Sequence, residues 1–196
     1  MAVLVTGGAG FIGSQTCVEL MQNGEKIIVM DNFYNSNPKT LDKVCQLTER
    51  GFKFYESDML DMPAIDRIFD ENEIETVIHL AGYKGIEESV KKPLVYYSNN
   101  LRGTFNILET MKKYGCTGFI FSSPVPLEDS SLSGANPYYS TNLIIENLCR
   151  EMYKADNSWT MLLLRCLNPD VLPKSLAAAV QKSRELPNGC QTIEVL

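Results

Sequence analysis

An apolar run, Ala2-Val3-Leu4-Val5-Thr6, passes directly into Gly7-Gly8-Ala9-Gly10-Phe11-Ile12-Gly13, and this junction constrains the chain more than any other feature. Glycines at 7, 10 and 13 give a G-x-x-G-x-x-G spacing at a strand-to-helix turn. Side chains there would obstruct the turn, the approach of a pyrophosphate and the packing of helix on strand. Unpaired N–H groups at the start of the following helix suit an anion. Glycine-rich turns are common, so the triplet gains its weight from context. The second apolar run, Lys26–Met30, ends on Asp31 in Val29-Met30-Asp31-Asn32. A carboxylate at that point accepts hydrogen bonds from the adenosine ribose hydroxyls and repels a 2′-phosphate, so the pattern predicts NAD rather than NADP. The plainer reading of Asp31, a solvated turn residue, fits this context less well.

Short apolar runs continue to alternate with helical patterns. Ala2–Thr6, Lys26–Met30, Phe52–Ser57, Thr76–His79, Gly118–Phe121 and Thr160–Cys166 read as strands, several of them apolar throughout, as strands covered on both faces are. Ser14–Asn23, Thr40–Arg50, Pro63–Asn72, Leu94–Tyr114 and Tyr138–Asp156 read as helices, the first stopping at Asn23-Gly24. The alternation predicts right-handed βαβ units and an α/β, Rossmann-type, doubly wound parallel sheet. Pro124–Asn136 reads as a surface loop, and after Pro169 the pattern thins to one helix, Ser175–Leu186, and one strand, Gln191–Leu196.

The formal net charge of −6 argues against nucleic acid or an anionic membrane as partner, since both call for clustered Lys and Arg. The six cysteines (17, 45, 116, 149, 166, 190) form no C-x-x-C pair, and with a single histidine, His79, no metal site is expected. Scattered cysteines and the lack of a signal-peptide pattern lead to the expectation of a reduced, cytoplasmic protein. No apolar stretch approaches the ~20 residues of a membrane span.

Several longer stretches carry a resemblance. They are Thr6–Gly13, Asp31–Ser36, Glu56-Ser57-Asp58, Val77–Lys84, Glu88–Leu94, Tyr97–Asn100, Phe121-Ser122-Ser123, Asn136-Pro137-Tyr138 and Leu164–Pro169. In this order, over residues 1–169, the chain resembles the UDP-glucose (UDP-galactose) 4-epimerases, extended short-chain dehydrogenase/reductases of nucleotide-sugar and galactose metabolism. The resemblance implies NAD contacts at Gly7, Gly10, Phe11, Ile12, Gly13, Asp31, Asn32, Asn35, Ser36, Asp58, Met59, Leu80, Ala81, Gly82, Lys84 and Asn99. Asp58, at a strand end, can accept from the adenine amino group, with a helix N-cap as the plainer reading. Lys84 can reach phosphate or ribose, with a solvated lysine as the plainer reading. His79 reads as a packed strand residue. The resemblance also leaves room for a homodimer built on Leu94–Tyr114 and Tyr138–Asp156.

Family chemistry uses a Tyr-x-x-x-Lys pair and a Ser or Thr. The tyrosinate takes a proton from the sugar 4-hydroxyl while C4 passes hydride to NAD, and hydride returns to the other face of the 4-keto sugar. The lysine holds the nicotinamide ribose and lowers the tyrosine pKa. Here Tyr138 matches the tyrosine, but Asn142 stands at the lysine position. At its ordinary pKa of ~10 a tyrosine is only about one part in a thousand ionised at pH 7. After Ser122-Ser123 the family pattern continues into a third serine, whereas this chain passes to Pro124-Val125-Pro126, leaving a gap of roughly ten residues. Ser123 is the remaining candidate for the missing hydroxyl. Cys166-Leu167 replaces two aromatics, and 170–196 resembles only the start of the family's substrate domain, which is expected to be largely missing. The catalytic candidates are therefore Tyr138, Ser123 and Asn142. Three readings stay open: a degenerate epimerase that binds NAD but turns over poorly or not at all, with weakened UDP-sugar binding; a non-enzymatic NAD-sensing or interaction module; or an enzyme with altered chemistry, completed by a partner chain.

Overall fold

The computed structural model describes residues 1–124, 136–166, 170–185 and 188–195. Seven parallel strands form one sheet in the order β3-β2-β1-β4-β5-β6-β7. They are β1 (Ala2–Thr6), β2 (Ile27–Asp31), β3 (Lys53–Glu56), β4 (Ile74–His79), β5 (Gly118–Pro124), β6 (Thr160–Cys166) and β7 (Cys190–Val195). From β1 the chain builds outward through β2 and β3, then crosses back to β4 and proceeds the other way. The crevice beyond the carboxyl ends of β1 and β4 is thus the switch point at which such sheets take ligands.

Every residue of β1 and β2 is buried, which is why both read as unbroken apolar runs. Alternate side chains serve two cores. Val3, Val5 and Val29 meet Cys17 and Leu20 of α1 (Phe11–Gln22), Leu41 and Val44 of α2 (Lys39–Thr48), and Leu176 and Val180 of α7 (Leu172–Glu185). Leu4, Ile28 and Val77 meet Ile65 and Ile68 of α3 (Met62–Asp70), Ile107 and Met111 of α5 (Pro93–Lys113), and Ile145 and Cys149 of α6 (Pro137–Ala155). Burying each such Leu or Ile contributes about 1.5–3 kcal/mol, so the two cores, not the turns, carry the stability.

The alternation expected from the sequence is observed, with three differences. A short helix, α4 (Ile86–Lys91), was not anticipated; no side chain caps its N-terminus and its six residues are too few to show a period. The expected loop at Pro124 is instead the last residue of β5, opposite Cys166. A proline at a strand end removes no interior ladder bond, so the strand tolerates it. Residues 125–135 of that loop, and 167–169 of the Leu164–Pro169 motif, lie outside the described residues. Where the remnant of a second domain is expected, over 170–196, α7 packs against this same sheet and β7 joins it, pairing with β6 from Cys190 to Val195. Among the described residues no helix is long and apolar enough to cross a membrane, and no group of His, Cys, Asp and Glu comes together to hold a metal. No disulfide joins the six cysteines, all of which are among the described residues.

Candidate functional site

The site begins at the glycine turn. Gly7 has φ +71°, and its N–H donates to the Met30 carbonyl at 2.8 Å. A Cβ on Gly7 would lie 2.8 Å from the Ala81 nitrogen, and one on Gly13 would lie 2.2 Å from the Gly7 carbonyl oxygen. Gly7 therefore lets the turn pass beneath the β4 loop, and Gly13 lets α1 rest on the turn. Gly10 begins α1 with no side-chain cap, which leaves the first-turn N–H groups for water or an anion.

Asp31 organises the floor of the cleft. Its Oδ2 accepts from the Ala9 N–H at 2.9 Å, and its Oδ1 accepts from the Phe33 N–H at 2.9 Å and the Ser36 hydroxyl at 2.8 Å. The buried carboxylate thus pins the glycine turn to the loop after β2, and Ser36 serves it rather than the cleft wall. Asn32 extends the scaffold: its amide donates to Asp58 Oδ2 at 2.7 Å and its Oδ1 accepts from the Tyr34 N–H. Asp58 Oδ1 takes the Leu60 N–H, while the N-cap of α3 is Asp61, so the helix-cap reading of Asp58 does not apply.

The resulting cleft, about 380 Å³, is lined by Gly7, Gly10, Phe11, Ile12, Asp31, Asn32, Asn35, Met59, Leu80, Ala81, Gly82, Lys84 and Asn99, among others. The structure thus gathers most of the sequence-predicted cofactor residues on one surface. Gly13, Ser36 and Asp58 stand behind it as supports. Lys84 is shared with a neighbouring cavity; packing around its ammonium lowers its pKa, against the pull of Asp31.

That second cavity, about 240 Å³, contains Tyr138 and Asn142. Burial first, then Tyr139, Cys166 and Tyr96, push the Tyr138 phenol up to about 12. The Asn142 amide turns back along its own helix and donates to the Tyr138 carbonyl at 2.7 Å. Strand parity decides which hydroxyl faces this cavity. Ser122 and Pro124 line it, whereas Ser123 points to the other side and donates to Glu146 Oε1 at 2.6 Å. The sequence-level candidate Ser123 is therefore not brought to Tyr138, and Pro124 takes the next outward position.

Glu146, fully buried, also accepts from Arg165 at 3.2 and 2.8 Å and from Arg150 at 2.8 Å. Burial alone would raise its pKa; the bonds from Arg165, Ser123 and Arg150 outweigh burial and hold it below the usual carboxylate range. This knot fixes α6, and with it Tyr138, to β5 and β6. His79 is similarly held, between the hydroxyls of Thr6 at 2.8 Å and Thr104 at 3.0 Å, and burial, with Lys84, lowers its pKa to about 4. It is a packed neutral strand residue, as its sequence context suggested. Asn100 was missed as a site residue. Its Oδ1 accepts from the Tyr83 N–H and its amide donates to the Tyr83 carbonyl, holding the β4 loop from α5.

The model of the NAD dependent epimerase/dehydratase family matches residues 3–169. The chain is 49% identical over 179 residues to a UDP-glucose 4-epimerase of Bacillus subtilis, covering 86% of this chain and 53% of the relative. It is 46% identical over 180 residues to that of Haemophilus influenzae, again covering 86% and 53%. The crystal structure of UDP-glucose 4-epimerase from Bifidobacterium longum in complex with NAD+ and UDP superposes with a TM-score of 0.80 at 42% identity, over 86% of this chain and 53% of that one. The chain thus spans about half the length of the curated relatives it matches.

Proposed function

Because this chain belongs to the NAD dependent epimerase/dehydratase family, we propose that it is an NAD-binding, UDP-glucose 4-epimerase-like protein whose epimerase chemistry is impaired or absent. The cleft fits the dinucleotide on its own terms. Its turn admits no Cβ at Gly7 or Gly13, α1 starts uncapped, and an acidic residue ends β2. Gly10 and the α1 N-terminus would hold the diphosphate, Asp31 the adenosine ribose through its remaining lone pair, and Lys84 and Asn99 the far half. When bound, NAD supplies a hydride acceptor and donor. The task left to the protein is to take and return the proton of the sugar 4-hydroxyl.

The observation that carries the reading is the environment of Tyr138. Its phenol is pushed to about 12, residue 142 offers an amide where the family offers an ammonium, and β5 presents Pro124 to the cavity. A phenol so held is almost wholly protonated at neutral pH, so the tyrosinate that would act as base is scarce. Cys166 on the opposite wall supports weakened UDP-sugar contacts. Exposed Leu94, Val95 and Phe105 on α5, with Leu143 and Ile144 on α6, support a homodimer, and six cysteines outside any disulfide support the cytoplasm.

The test is thermal unfolding with each cofactor. At a concentration 100 times its dissociation constant, NAD stabilises by about 2.7 kcal/mol, which raises the melting temperature by about 5–10 °C. NADP should do much less, and Asp31→Ala should blunt the NAD effect. Equal stabilisation by both cofactors refutes the cofactor assignment. Interconversion of UDP-galactose and UDP-glucose at the rate of an intact epimerase, abolished by Tyr138→Phe, refutes the impairment.

A further inference from the structure

Two loops leave the strands that flank β1. One follows β2 and carries Tyr34; the other follows β4 and carries Tyr83. Their rings meet with centroids 4.8 Å apart and planes tilted by 40°, and both line the dinucleotide cleft. Since β2 and β4 pair with opposite sides of β1, a contact between these loops must span the carboxyl end of β1, where the glycine turn lies.

The two halves of the contact are anchored unequally. Tyr83 is held on both backbone sides by Asn100, at 2.9 and 3.1 Å, and its ring is backed by Tyr96 at 5.6 Å. Tyr34 is held at its backbone, where its N–H donates to Asn32 Oδ1 at 3.1 Å just after Phe33 with φ +55°, and its side chain is bound to that of Tyr83 itself. The residue is 64% exposed and Tyr83 is its aromatic neighbour. One ring is an anvil, and the other is a side chain that a single χ1 rotation carries away. Such rotations are fast, whereas displacement of either loop would break the hydrogen bonds of Asp31 or Asn100.

We propose that Tyr34 and Tyr83 form an aromatic latch over the dinucleotide cleft, and that its opening governs how fast the bound dinucleotide leaves. The proposal rests on the NAD reading above. The closed latch covers the diphosphate-binding turn without adding a charge, so it slows release while leaving the cofactor's polar contacts alone. An aromatic pair of this kind contributes enough to change a rate roughly threefold to tenfold.

The experiment is stopped-flow displacement of NADH by excess NAD, followed by the nicotinamide fluorescence. Tyr34→Ala should release NADH roughly threefold to tenfold faster, with little change in the association rate. Tyr34→Phe, which keeps the ring but loses the hydroxyl's bond to Tyr83, should release more slowly than Tyr34→Ala, and release as fast as Tyr34→Ala overturns the aromatic contact as the latch. Tyr83→Ala should match Tyr34→Ala, and the double variant should be no faster than either, because both remove one shared contact. Wild-type release from Tyr34→Ala overturns the latch while leaving NAD binding intact. Failure of the wild-type chain to bind NADH overturns the cofactor reading, and the latch with it. Fully additive effects of the two alanines overturn the pairing.

Discussion

Replacing Asn142 by lysine tests the catalytic reading most directly. Residue 142 lies one helical turn after Tyr138, on the same face and in the same cavity wall. Its present amide is only long enough to reach back to the Tyr138 carbonyl, at 2.7 Å. A lysine stem extends past that carbonyl into the cavity. With the phenol at about 12, only roughly three molecules in 100,000 carry a tyrosinate at pH 7.5. An ammonium within ~4–6 Å lowers the pKa of an acid by about 1–3 units, so the phenol should fall to about 9–11. That is a tenfold to thousandfold gain in tyrosinate, or about 1.4–4 kcal/mol. The shift is read from phenolate absorbance during alkaline titration, with Asn142→Lys/Tyr138→Phe subtracting the remaining tyrosines. NAD should also bind more tightly, because a charged donor becomes available to the ribose. Epimerase turnover should nevertheless stay low. Pro124 still occupies the outward position on β5, and orientation of the sugar is a large part of the barrier. An unmoved phenol pKa refutes the electrostatic argument. Strong turnover from this one substitution refutes the claim that Pro124 also matters.

Two further outcomes follow from the packing. Gly13→Ala should destabilise by at least about 2–3 kcal/mol or abolish folding, since its Cβ would meet backbone atoms at 2.2 and 2.7 Å, whereas Gly51→Ala, whose Cβ meets nothing within 4 Å, should be nearly neutral in urea unfolding; equal effects would show that the turn yields. His79 binds its proton at 6.5 in the unfolded chain and at about 4 in the fold, so stability is full above that window and is lost as pH falls through it, by about 2 kcal/mol at pH 5. The stability gap between wild type and His79→Gln should shrink by about that amount between pH 7 and pH 5, and an unchanged gap would show that folding leaves the imidazole's proton affinity where it is in the unfolded chain.

Local chemistry made the frame readable. A buried parallel strand is apolar throughout, a glycine turn is conspicuous, and Asp31 sits where the second strand stops, so the sheet and most of the cleft follow from short windows of sequence. Features that depend on parity or distance do not. Whether Ser122 or Ser123 faces Tyr138 turns on where β5 ends, and Pro124 reads as a loop signal although it closes the strand. Asn100 and Tyr83 are 17 residues apart, and nothing local announces that one side chain brackets the other's backbone. Asp31 reads as a ribose acceptor, but its contact with the Ala9 N–H, 22 residues away, becomes visible only once β1 and β2 are side by side.

The alternation of side chains along β5 and β6 also explains how the site can change without loss of the fold. Ser123 and Arg165 are register partners on one face, and both are bound to Glu146. Pro124 and Cys166, the next partners, face the other way and line the Tyr138 cavity. One set of positions ties α6 to the sheet, and the interleaved set presents groups to a ligand. A substitution at Pro124 or Cys166 leaves the Glu146 knot untouched, although Cys166 also packs against the first hydrophobic core, so the cost in stability is smaller than that of breaking the knot. Asn142 obeys the same division. It stands four residues before Glu146 on α6, yet its amide is satisfied within the helix and takes no part in the knot. Residues 124, 142 and 166 converge on one cavity from β5, α6 and β6. The glycine turn and Asp31 belong to a different cleft, and their hydrogen bonds involve none of these three residues. The two cavities adjoin along Ile12 and Leu80 to Lys84, so the glycine turn and Asp31 keep their own hydrogen bonds whatever stands at 124, 142 and 166, while the wall they share couples the two.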